Sequence, residues 1–106
     1  MDWMDDCYEE RAALLKALSH PLRLYIVRNM MHKKCNVSKI QHCLGIPQAT
    51  VSQHLATLRA AGIIQGTRCG NEICYEVISE FARAVALLAV PELEAEKQEN
   101  DSERAL

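Results

Sequence analysis

Apolar positions along this 106-residue chain recur at helical spacing in five places and switch to alternation in one. Over residues 8–18, Ala12, Leu15 and Leu18 fall along one side of a predicted helix. Ser19-His20-Pro21 breaks it, because Pro21 cannot continue the first helix but suits the first turn of a second. The second helix reads LRLYIVRNMM and offers Leu22, Ile26, Val27, Met30 and Met31 to a core. The polar run His32-Lys33-Lys34-Cys35-Asn36 ends it. A short third helix over residues 37–44 turns Val37, Ile40, Cys43 and Leu44 inward and stops at Gly45.

Gly45-Ile46-Pro47 then leads into IPQATVSQHLATLRAAG, residues 46–62, in which Pro47 is expected at the first helical position and Gly62 closes the helix. Val51, Leu55 and Leu58 form its apolar stripe. The remaining face carries Gln48, Thr50, Ser52, Gln53 and Thr57, no carboxylate, and Arg59 near the end. Short neutral hydrogen-bonding groups beside a cation suit base-pair edges flanked by phosphates, so this helix reads as a recognition helix. Two helices joined by a tight glycine-containing turn, the second with such a face, make a helix-turn-helix.

After Gly62 the period changes to that of strands. Residues 63–69 and 72–78 read as a hairpin closed by Gly70-Asn71, with Arg68 near the tip of this wing. A last helix over residues 79–90 is apolar almost all round, with Phe81, Ala82, Val85, Leu87, Leu88 and Ala89. It needs a cover that a small core cannot supply, and a second copy of the chain is the simplest one. Pro91 ends it. An acidic arm over residues 1–7, a domain over 8–91 and a polar, mobile tail over 92–106 complete the organisation.

The net charge of -2 conceals a strong asymmetry. Between His20 and Tyr75, Arg23, Arg28, Lys33, Lys34, Lys39, Arg59 and Arg68 stand against Glu72 alone, a local charge of +6, and all four histidines lie in the same segment. Both flanks are acidic. A basic centre between acidic ends suits a domain that grips phosphates centrally. The start, MDWMDDCYEE, is acidic where a signal peptide is basic, and no apolar run reaches membrane-spanning length, which places the chain in the cytoplasm. Its five cysteines are then expected as thiols.

Three segments carry a family resemblance: LKALSHPLRLYIV (residues 15–27), GIPQATVSQHLATLRAAGII (45–64) and RCGNEICYEV (68–77). Together they resemble the ArsR/SmtB family of winged-helix transcriptional repressors, over roughly three quarters of the chain in the expected order. The resemblance implies a mainly α fold with a small β-hairpin, a winged helix-turn-helix of four helices, two strands and a fifth helix. It further implies a homodimer formed through the first and last helices, with recognition helices in successive major grooves of a pseudo-palindromic double-stranded operator and wings over the flanking minor grooves. Such repressors are released by an inducer. By resemblance, Gln48, Thr50, Ser52, Gln53 and His54 fall where bases or nearby phosphates are read, and Arg59, Arg68 and Asn71 where backbone or minor groove is touched.

Each position has a structural alternative. His54 is read either as a DNA contact or as an interior histidine capped by a backbone carbonyl; Ser52 either bonds DNA or lets helices approach closely; Gln48 and Gln53 either read bases or are solvated. Arg23 is read as an intramolecular anchor.

The sensor is less legible. The family's thiolate metal sensors carry a Cys-x-Cys pair on the helix before the recognition helix, and the aligned Asn36-Val37-Ser38 lacks both ligands. Another subgroup uses histidines and carboxylates on the last helix, and no histidine follows His54. Neither metal site is therefore expected, and nothing calls for a cofactor. Cysteine thiols remain as candidates for redox, reactive-sulfur or thiophilic-metalloid sensing. Cys35 lies beside Lys33 and Lys34, where a thiolate is favoured; Cys43 reads as a small buried hydrophobe; Cys7, near the first helix, is placed to join Cys35 of a second copy. If Gly70-Asn71 closes the hairpin, Cys69 opposes Glu72 and Thr67 opposes Cys74, which sets the two thiols on one face as diagonal neighbours roughly 7 Å apart. No nucleophile-base arrangement or glycine-rich phosphate loop is present, so an enzyme is not expected. A protein-binding winged helix without DNA, or a constitutive repressor with no sensor, are the alternatives.

Overall fold

The apolar stripe of the proposed recognition helix is the centre of the core. In a computed structural model that describes residues 6–91, Val51 and Leu58 have no solvent exposure and Leu55 has 2%. Burying each such side chain contributes about 1.5–3 kcal/mol. That energy fixes how the helix is rolled, and therefore which face it turns outward.

The elements run α1 (Asp6–Leu18), α2 (Pro21–Met30), β1 (Cys35–Asn36), α3 (Val37–Leu44), α4 (Gln48–Ala60), β2 (Ile64–Cys69), β3 (Glu72–Val77) and α5 (Glu80–Ala89). This is the expected mainly α winged fold with one addition, the two-residue strand β1, which makes a three-stranded antiparallel sheet in the order β1-β3-β2. Residues 1–5 of the acidic arm and the whole tail from residue 92 lie outside the described residues.

Local chemistry explains the boundaries. His20 caps α2, its Nδ1 accepting from the Leu22 N–H at 3.1 Å, and Pro21 takes the first turn. Asn36 Oδ1 accepts from the Lys39 N–H at 2.8 Å and starts α3, which Gly45 ends in the left-handed conformation at φ 68°. Pro47 stands one residue earlier than a first helical position, as the extended N-cap of α4. At the other end, the Gly62 N–H bonds to Arg59 O and the Ile63 N–H to Leu58 O, each at 3.0 Å, while Ile63 and Leu58 are both fully buried. That pattern is a Schellman motif with its hydrophobic contact. It turns the chain sharply from recognition helix to wing.

The remainder of the core comes from Leu14, Ala17 and Leu18 of α1, Ile26, Val27 and Met30 of α2, Ile40 of α3, Ile63, Ile64, Tyr75 and Val77 around the sheet, and Ala82 and Ala86 of α5. Three expectations are corrected here. On α1 the inward stripe is Leu14, Ala17 and Leu18, and the expected Ala12 and Leu15 are exposed, with Leu15 at 46%. The helix carries two apolar stripes, and spacing alone does not say which one faces its own core. Cys43 is exposed, not buried, because α3 turns inward along Val37, Ile40 and Leu44, and Cys43 falls beside that line. The segment around Cys35 is not a free polar turn: Cys35 pairs with Tyr75 and Asn36 with Cys74 in the sheet.

On the wing, Gly70-Asn71 joins β2 to β3 and the register pairs Cys69 with Glu72 and Thr67 with Cys74, as the turn predicted. Gly66 is explained only in three dimensions. A Cβ there would lie 2.8 Å from Ile73 Cγ2 and 3.0 Å from the Tyr75 ring, so the glycine leaves room for the aromatic ring crossing it from β3.

Candidate nucleic-acid interface

With its stripe buried, α4 presents Gln48, Ser52, Gln53 and Arg59 exposed and Thr50 and His54 half-buried. Its N-terminal turn has no side-chain cap and no acidic residue. The positive end of the helix dipole is thus left uncompensated beside Gln48. Thr57 is less available than the sequence suggests, since its hydroxyl donates back to Gln53 O at 3.2 Å. Arg68 and Asn71 are exposed at the end of the wing. The left-handed φ of 67° at Gly70 makes that tight turn.

His54 is not an isolated side chain on the exposed face. Its ring packs at 4.5 Å, centroid to centroid, against that of His20, and Arg23 Nη1 lies 3.5 Å from its Nδ1. Arg23 also donates from Nε to Ala17 O at 2.6 Å, which bears out its reading as an intramolecular anchor. The cluster ties α4 to the α1–α2 junction. Burial, then the positive charges available to His20 and Arg23, lower the His54 pKa from its ordinary 6.5. Because the folded state takes up that proton less readily than the unfolded chain, the stability tied to neutral His54 is complete above about pH 6.5 and is lost as pH falls through the lower folded value. Thermal unfolding of wild type and His54→Gln between about pH 7.5 and pH 5 tests this. The wild type is expected to lose stability more steeply on acidification, and parallel curves would contradict the assignment.

Two of the seven central cations prove to serve the fold. Besides Arg23, Arg28 is only 1% exposed, its Nε donating to Val90 O at 2.9 Å and its Nη1 lying 3.3 Å from His32 Nε2. His32 lies just past the C-terminal end of α2, four residues on from Arg28. Lys33, Lys34, Lys39, Arg59 and Arg68 remain exposed and supply the positive surface.

The thiols divide by place. Cys7 is exposed on α1, and Cys35 is half-buried in β1, its thiol donating to Lys33 O at 3.6 Å. Cys69 is exposed and Cys74 half-buried, on the opposite sheet face from Cys35 by register. The Cys69 thiol, hydrogen-bonded to Cys74, raises the Cys74 pKa above its ordinary value; desolvation and Glu72 add to this and Lys34 opposes it. Among the described residues, no three His, Cys, Asp or Glu side chains converge to hold a metal ion. No helix among them is long and apolar enough to cross a membrane.

Fold and surface together define a winged helix-turn-helix of the kind that bacterial regulators use. A family profile described as bacterial regulatory protein, arsR family, matches residues 20–66. The chain is 39% identical over 84 residues to the transcriptional repressor PagR of Bacillus anthracis, spanning 78% of this chain and 84% of that one. To the HTH-type transcriptional repressor SmtB of Mycobacterium tuberculosis it is 38% identical over 77 residues, covering 73% of this chain and 57% of SmtB. The solved structure of reduced HlyU from Vibrio cholerae superposes with a TM-score of 0.79 at 25% identity, over 86% of this chain and 96% of that one. The chain belongs to the ArsR/SmtB family of winged-helix, DNA-binding transcriptional repressors, a family of regulators and not of enzymes.

Proposed function

We propose that residues 8–91 act in the cytoplasm as a homodimeric repressor that reads a pseudo-palindromic double-stranded operator, with α4 in the major groove and the β2–β3 wing over the minor groove. The observation that carries this reading is the outer face of α4, where Gln48, Thr50, Ser52 and Gln53 offer neutral donors and acceptors with no carboxylate among them. Arg59, Arg68 and Asn71 flank that face and meet phosphates or the minor groove. His54, held by His20 and Arg23, sets the flank of α4 beside the backbone.

Dimerisation is supported by apolar surface left uncovered on the two terminal helices. Tyr8 is 63% and Leu15 46% exposed on α1, in line with Ala12 at helical spacing, and Leu87 and Leu88 are 42% and 83% exposed on α5. An inducer acting through cysteine thiols releases the operator in this reading, with Cys7, Cys35, Cys69 and Cys74 as the candidates. Selection of bound duplexes from a random pool, under reducing conditions and then with oxidant, tests it. The expected product is a two-fold symmetric consensus with half-sites about one helical turn apart. Recovery of unenriched sequence by folded protein would overturn the reading.

A further inference from the structure

Cysteine is among the most buried residue types, so two of them side by side on the wing, one exposed and one half-buried, have no full packing explanation. The register places Cys69 beside the turn opposite Glu72, and Cys74 two positions along β3 between Thr67 on one side and Asn36 on the other. We propose that Cys69 and Cys74 form an oxidant-sensitive modification site, in which a hydroperoxide joins them as an intramolecular disulfide that displaces Arg68 and Asn71 from DNA. This deepens the reading of the chain as a thiol-regulated repressor and rests on it.

Roles follow from accessibility. Cys69 meets the oxidant, since it is exposed, while Cys74 is half-buried and keeps its proton against the neighbouring sulfur. The Cys69 thiolate attacks one peroxide oxygen, the O–O bond breaks, and the departing oxygen takes a proton to leave as water. The sulfur, oxidised by two electrons, is then a sulfenic acid. Cys74 attacks that sulfur; the S–S bond forms, the S–O bond breaks, and the hydroxide leaves as water with the Cys74 proton. Two thiols and one hydrogen peroxide yield one disulfide and two waters.

The mechanical consequence comes from the diagonal. Cross-strand diagonal neighbours stand roughly 7 Å apart at Cα, and disulfides usually span no more than about 6.8 Å. The bond therefore draws the strands together locally and changes the twist at the turn. Arg68 directly precedes Cys69, and Gly70-Asn71 lies inside the closed ring. Side chains at the wing tip, Arg68 and Asn71 among them, are re-aimed as the twist beneath them changes. A disulfide also needs only the two sulfurs present, whereas no third ligand group converges among the described residues to complete a metal site.

The test uses the full chain, treated with hydrogen peroxide and then freed of it. Mass mapping of wild type is expected to find a Cys69–Cys74 cross-link, and a Cys7→Ser, Cys35→Ala, Cys43→Ser variant to lose two titratable thiols. Affinity for the selected duplex should fall about tenfold and return with reductant. Cys69→Ser should hold its affinity through peroxide. Persistence of both thiols, over-oxidation of Cys69 without a cross-link, or a cross-link with unchanged affinity each overturns the inference while leaving operator binding by reduced protein intact. If reduced protein binds no duplex, the repressor reading fails instead, and the thiol count still decides whether the bond forms.

Discussion

Gln53→Ala is expected to leave the fold within about 0.5 kcal/mol of the parent and to lower affinity for the selected operator by roughly 30-fold to 10⁴-fold. The first half follows from exposure: the Gln53 side chain is exposed, and its backbone, including the carbonyl that accepts from the Thr57 hydroxyl, is kept by alanine. The second half follows from symmetry. A good bidentate amide contact with a base discriminates by about 1–3 kcal/mol, and a dimer on a two-fold operator loses two of them, about 2–6 kcal/mol in all. The contrast that decides is specificity. Fluorescence anisotropy against the selected duplex and against a scrambled one should show the loss concentrated in the former. Equal loss on both would make Gln53 a phosphate contact, and no loss on either would remove it from the interface.

Much of this arrangement could be read in the residues because the interactions that set it are local. Val51, Leu55 and Leu58 repeat at helical spacing, and all three are buried. The Gly70-Asn71 turn sets the hairpin register, so the juxtaposition of Cys69 and Cys74 follows from the turn alone. The His20-Pro21 break and the anchoring of Arg23 were likewise visible, since capping and proline geometry act within a few residues.

What escaped is tertiary. Strand β1 has only two residues and exists because β3 lies beside it; nothing in Cys35-Asn36 announces a strand. Arg28 counted as surface charge until its partner, the carbonyl of Val90, arrived from 62 residues away. Gly66 needs the Tyr75 ring to be intelligible. Cys43 and Leu15 sat on plausible apolar stripes, yet a stripe names a face and not its neighbour. In the candidate interface the same limit appears at His54, whose residue type suits DNA contact while its packing against His20 and Arg23 engages it within the fold.

The revised charge map also sharpens what binding should look like. With Arg23 and Arg28 engaged internally, the proposed grip on phosphate rests on the exposed Lys39, Arg59 and Arg68, with Lys33 and Lys34 adding diffuse attraction. The proposed dimer would then bring about six close cations to the duplex, each releasing a condensed counterion. The affinity of reduced protein for the selected duplex, followed across salt concentration, tests the central claim most directly. The logarithm of the binding constant should fall linearly with the logarithm of salt, with a slope near about -5 and a loss of about 10³-fold between about 50 and 200 mM. A nearly flat dependence over the same range, with the protein still folded, would contradict it and point to a protein partner on the α4 face.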